Sequence, residues 1–128
     1  RVVACSIGDP ASEIREKVGH IWSEAAAATH SEVPSVEIEY VDDHIGGGYG
    51  VVTDDELEIQ AEASALTGAI FDPTYTGKAL TGLRRELGKG RYGYGDHVVF
   101  WHTGGGFAAL AHDFSRTVAA ADRGADTA

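Results

Sequence analysis

Three glycine-flanked polar segments carry the side chains best suited to chemistry in this sequence: Gly48-Tyr49-Gly50, Asp72-Pro73-Thr74-Tyr75-Thr76-Gly77-Lys78 and His102-Thr103-Gly104-Gly105. Phenols and hydroxyls of this kind donate, accept and relay protons without a fixed charge. Each segment follows a short apolar run, and open α/β sheets place their ligands at the ends of strands. Taken singly, each has a plain structural reading: Tyr49 as a turn residue, Tyr75 with its ring on the core and its hydroxyl in water, Thr103 as the N-cap of a short helix. The six histidines show no paired spacing on one helix, and a lone Cys5 cannot complete a zinc site, so no metal is expected. Gly46-Gly47-Gly48 lacks the following Gly-Lys-Ser/Thr of a phosphate loop and reads as a loop over a substrate side.

The surrounding elements follow from hydrophobic spacing. Val2 to Cys5 is a short apolar run stopped by Gly8-Asp9-Pro10, which predicts a buried strand. From Ser12, Ile14, Val18, Ile21, Trp22 and Ala25 recur at helical spacing, and the helix should close near Thr29-His30, ahead of Pro34. Val36 to Val41 alternates as a half-exposed strand. Thr53 with Glu56 has capping-box spacing, which predicts a helix running to about Thr67 and stopping at Gly68. Ala69-Ile70-Phe71 predicts a brief strand, and a helix through Ala79, Leu80, Leu83 and Leu87 follows. Val98-Val99-Phe100-Trp101 predicts a central strand covered on both faces, and Phe107 to Ala111 a short helix. The alternation implies an α/β fold with an open, mainly parallel sheet and helices on both faces, over residues 1–114. Residues 115–128 read as a C-terminal tail, frayed from Ala119 onward.

Composition narrows the class. The 128 residues are 43% hydrophobic and 23% charged, as in a soluble globular domain. A formal charge of −10 argues against a nucleic-acid surface, and no apolar run approaches the ~20 residues of a membrane span. One cysteine in an apolar run fits a core residue in a reducing, cytoplasmic compartment.

Read in order, DDHIGGGYGVVTDDELE, FDPTYTGKALTGL and VVFWHTGGGFAAL resemble the C-terminal part of the pyridoxal-phosphate-dependent D-cysteine desulfhydrases and 1-aminocyclopropane-1-carboxylate (ACC) deaminases. These are fold-type II enzymes related to the tryptophan synthase β chain. The resemblance runs from residue 1 to about 114, and the ordered co-occurrence outweighs the plain readings of Tyr75 and Thr103. It implies pyridoxal 5'-phosphate as cofactor and a small amino acid as substrate. Tyr49 and Tyr75 match tyrosines on the substrate side, Tyr75 over the substrate carbon as the acid/base group. Thr103, followed by Gly104 and Gly105, matches the hydroxyl beside the pyridine nitrogen. Thr76 stands where the deaminases carry a glutamate that pairs with that nitrogen. A neutral hydroxyl there strengthens the ring less as an electron sink, which favours β-elimination of a thiol over opening of a cyclopropane.

The implied activity of the parent enzyme is cleavage of D-cysteine or an analogue to pyruvate, ammonia and sulfide. The alternatives are ACC deamination, or an inactive binding or scaffold domain. None of Lys17, Lys78 and Lys89 occupies the family's Schiff-base position. Together with the absence of Met, this leads to the expectation of a C-terminal portion of a longer, homodimeric enzyme, inactive by itself.

Overall fold

The computed structural model describes residues 1–32, 34 and 36–111. The expected tail lies outside the described residues. The order is β1 (Val2–Cys5), α1 (Ala11–Thr29), β2 (Ile38–Val41), α2 (Asp54–Thr67), α3 (Thr76–Gly88) and α4 (Gly106–Ala111). β1 and β2 pair in parallel with Val2 opposite Ile38 and Cys5 opposite Val41, and α1 is the crossover between them. The unit is therefore the βαβ building block of an α/β fold.

Helix ends obey local chemistry. The Thr53 hydroxyl accepts from the Glu56 N–H while Glu56 accepts from the Thr53 N–H, so the capping box closes at the start of α2. At the other end Gly68 adopts φ 74° and donates to the Ser64 carbonyl at 2.8 Å, which places the stop where the sequence puts it. α1 turns Ile14, Val18, Trp22 and Ala26 inward, each half-buried, and packs on β2. α3 packs on β1 and alongside α2.

Two expected strands are absent from the described residues: neither 69–71 nor 98–101 joins a ladder. Their apolar character is real, but a strand exists only where a neighbour receives its N–H and C=O groups. Val99, Trp101 and Phe107 are each more than four-fifths exposed, and Ile70 and Leu110 are exposed as well. Large apolar side chains left this exposed are available for contact.

The interior is polar for its size. Among the described residues Ala61, Phe71, Pro73 and Ala109 are the buried apolar side chains, whereas Ser6, His44, Glu56, Gln60, Asp72, Thr76, Lys78, Thr81 and Glu86 are buried polar or charged ones. Such groups are tolerated where they find hydrogen-bond partners, and Asp72, Thr76 and Lys78 make theirs within the second glycine-flanked segment or from it. No helix of the described residues is long and apolar enough to cross a membrane.

Candidate functional site

Asp72 is the hub of the second segment. It has no exposed surface, and its Oδ2 accepts from the backbone N–H groups of Thr74 at 3.0 Å and Tyr75 at 2.6 Å. Its Oδ1 accepts from the Thr76 N–H at 2.8 Å and from the Thr76 hydroxyl at 2.7 Å. A carboxylate thus serves the free donors at the start of α3, where the helix dipole favours negative charge. Burial pushes the Asp72 carboxyl up, but the bonds from Thr76, Tyr75 and Thr74 outweigh it and hold the group below its ordinary range. The Thr76 hydroxyl also accepts from the Asp72 N–H at 2.9 Å. Its one proton is therefore committed to Asp72, and Thr76 is itself buried.

The third segment docks on the same carboxylate. Gly105 has φ 90°, and a Cβ on it would lie 2.6 Å from Asp72 Oδ1, so only glycine brings this loop so close. The His102 ring fixes the loop from the other side. Its Nδ1 accepts from the Gly104 N–H at 3.1 Å, so Nε2 carries the hydrogen and donates to the Ile70 carbonyl at 3.0 Å. Phe71 and Phe100 pack on the same ring at centroid distances of 5.3 and 6.5 Å. Thr103, between these anchors, is exposed, and its hydroxyl has no partner among the described residues.

The first segment meets the second through its tyrosines. Tyr49 Oη and Tyr75 Oη lie 2.5 Å apart with the rings at 72°, and both side chains are open to solvent. The Tyr49 hydroxyl, followed by neighbouring charge, pushes the Tyr75 phenol above its ordinary value. The loop bearing Tyr49 turns through Gly46, Gly48 and Gly50, all at positive φ. Gly8, just after β1, gives Tyr49 room, since a Cβ there would come 3.0 Å from that of Tyr49.

The arrangement brings together Tyr49, Tyr75, Thr76 and the Thr103-Gly104-Gly105 loop, with Asp72 as the support of the second and third segments and Tyr49 joined through the Tyr75 hydroxyl. Sequence reasoning did not identify Asp72 as that support, although an Asp four residues before a helix's first full turn is a signal for it. Lys78 is also placed differently from an accessible amine: it is fully buried and donates to Glu56 Oε1 at 3.0 Å and to the Ile45 carbonyl at 2.8 Å. Lys17 pairs with Asp9 and Glu13, and Lys89 with Asp43 and Glu86. No lysine of the described residues is thus left unpaired. The Cys5 thiol is raised to about 11 by burial and by nearby Glu86 and Asp43, so it stays protonated and is a poor nucleophile. Among the described residues no group of three His, Cys, Asp or Glu side chains is placed to hold a metal ion.

Comparison with known proteins follows these same residues. No protein-family model matches the chain. A D-cysteine desulfhydrase of Yersinia enterocolitica is 31% identical over 111 residues, covering 87% of this chain and 34% of that protein. A D-cysteine desulfhydrase of Salmonella newport is 34% identical over 89 residues, 70% of this chain and 27% of that protein. The crystal structure of an ACC deaminase homologue superposes with a TM-score of 0.74 at 30% identity, covering 92% of this chain and 35% of that one. The chain thus spans about a third of the length of the relatives it matches.

Proposed function

The chain belongs with the fold-type II family of D-cysteine desulfhydrases and ACC deaminases, and from that membership we propose that it supplies one wall of a pyridoxal-phosphate site in a lyase acting on D-cysteine or a close analogue. The observation that carries this is the meeting of the Tyr49 and Tyr75 hydroxyls at 2.5 Å, from segments 26 residues apart.

The donor set fits the cofactor. Thr103 offers an exposed hydroxyl, without a partner among the described residues, for the pyridine nitrogen edge, and Gly104 and Gly105 leave the approach to a flat ring free of side chains. When bound, pyridoxal phosphate supplies the electron sink that makes a substrate α-proton acidic. None of this chain's paired lysines suits the imine-forming role, which in this reading falls to a residue elsewhere in the protein. Two phenols sharing a hydrogen bond can hold a proton between them and pass it to or from a substrate atom, with Tyr75 as the acid/base group. The Thr76 hydroxyl is bonded to Asp72, so in this reading its part is to hold that support beside the ring edge. With no carboxylate at position 76, the site suits loss of a good leaving group. In such a β-elimination the Cβ–S bond and the Cα–H bond break, and water then releases the nitrogen as ammonia, leaving pyruvate and sulfide.

The exposed apolar side chains of Ile70, Val99, Trp101, Phe107 and Leu110 fit this reading, as groups that the remainder of a fold-type II domain would cover. The same reading makes the whole enzyme a cytoplasmic homodimer and the 128 residues by themselves inactive. The test is to supply the full-length protein and pyridoxal phosphate with D-cysteine and, separately, with ACC. Pyruvate and sulfide in equal amounts from D-cysteine support the proposal. Opening of the cyclopropane without pyruvate from D-cysteine replaces it with the deaminase reading. Failure to bind the cofactor at all replaces both with a scaffold.

A further inference from the structure

Lys78 and Glu56 form an ion pair whose side chains are 0% and 5% exposed. Taking two charges out of water is costly, and apolar residues of similar volume often serve stability as well or better. The pair's position suggests what it is kept for. Lys78 sits on α3 three residues after Tyr75, hence nearly one turn further along. Glu56 lies in the first turn of α2, and its Oε2 is held by the Thr53 N–H at 2.7 Å. The third partner is the Ile45 carbonyl, 2.8 Å from Lys78 Nζ, which also accepts from the Gly48 N–H at 3.3 Å. That carbonyl closes the turn of residues 45–48, and Tyr49 lies in the next turn, closed by the Val51 N–H on the Gly48 carbonyl at 3.3 Å. One ammonium therefore joins α3, α2 and the Tyr49 loop, and the two ends it joins are the ones whose hydroxyls meet.

We propose that the buried Lys78–Glu56 pair is a positioning device that, through the Ile45 carbonyl, holds the Tyr49 hydroxyl against the Tyr75 hydroxyl. Its catalytic meaning rests on the functional reading above; its geometric content does not. Lys78 touches neither phenol's hydroxyl and is a positioning residue. A loop of this many glycines has wide freedom of its own, so the tie from α3 decides where Tyr49 dwells.

The test uses the full-length protein labelled with ζ-13C-tyrosine, with the Tyr75 signal assigned by Tyr75→Phe. Tyr49 raises the Tyr75 phenol most, ahead of burial and of the Asp72 charge. In Tyr49→Phe the Tyr75 midpoint therefore falls toward its ordinary value. The variant of interest is Lys78→Met combined with Glu56→Gln, which removes both charges and keeps an acceptor for the Thr53 N–H in the capping box. The expected result is native circular dichroism with the Tyr75 midpoint lowered as in Tyr49→Phe, and no further change when the two sets are combined. In turnover the same variant should lose about 100-fold in kcat, as for a displacement of about 1 Å, with cofactor absorbance unchanged. A Tyr75 midpoint equal to that of the wild type overturns the proposal. So does loss of the fold in this variant and in Lys78→Met alone, because the pair would then hold the fold and not the tyrosines. An inactive wild type with the expected Tyr75 shift discards the lyase reading and leaves the positioning intact.

Discussion

Replacing Asp72 by Asn probes the support on which two of the three site segments rest. The carboxylate accepts four hydrogen bonds, two on each oxygen: Thr74 N and Tyr75 N on Oδ2, Thr76 N and the Thr76 hydroxyl on Oδ1. An amide keeps the shape but turns one oxygen into a donor, so one pair of these bonds is lost whichever way it faces. The Thr76 hydroxyl can rotate to accept instead, but at least one N–H is left pointing at another donor. An unsatisfied buried group costs about 1–3 kcal/mol, and losing the negative charge at the start of α3 adds roughly 0.3–1 kcal/mol. Asp72→Asn should therefore cost about 1–4 kcal/mol, read as a lower denaturant midpoint at unchanged slope. The pH dependence gives the sign independently. Asp72 is held below its ordinary range in the folded state, so its contribution is present above the ordinary carboxylate pKa and is lost as pH falls through the depressed folded value. The gap between wild type and variant should accordingly narrow in acid. A loss below about 1 kcal/mol at neutral pH, or a gap that widens in acid, refutes the assignment of Asp72 as a charged hub.

Two other perturbations follow from the same geometry. Gly105→Ala puts a Cβ 2.6 Å from Asp72 Oδ1 at φ 90°, and should cost at least about 2 kcal/mol from backbone strain and overpacking; a denaturation midpoint within error of wild type would show that the loop does not dock there. His44 is fully buried, with no hydrogen bond to either ring nitrogen among the described residues and Nδ1 3.9 Å from Asp43 Oδ1, and burial, partly offset by the Ser6 backbone and Asp43, pushes its pKa down. The unfolded chain then binds the proton first, so stability should fall as pH drops below about 6.5, by up to about 1.4 kcal/mol per pH unit. His44→Gln should flatten that slope, and an equal slope in both proteins would assign the pH dependence elsewhere.

What the sequence disclosed depended on how local the determining contacts are. The limits of α2 were legible because Thr53, Glu56 and Gly68 settle them within one turn of each end. The segment Val98-Val99-Phe100-Trp101 announces burial through composition alone, yet pairing needs a neighbouring strand, and none of the described residues provides one. The site divides in the same way. The order of the three motifs pointed to Tyr49, Tyr75 and Thr103, while the contacts that hold them span long stretches of chain: Lys78 to Ile45 over 33 residues, and Gly105 to Asp72 over a similar distance. Thr76 shows the limit most clearly. Its position in the motif suggested a hydroxyl facing a ligand, and only the fold reveals that Asp72 takes its proton.

The central claim is that Tyr49 and Tyr75 together form the proton-handling wall of a pyridoxal-phosphate lyase site. The most direct measurement is the turnover of D-cysteine by the full-length Tyr75→Phe protein, followed beside the absorbance of its bound cofactor. The account predicts that kcat falls by at least about 100-fold, as for loss of a general acid/base, while the cofactor remains bound. Full turnover by Tyr75→Phe would contradict it.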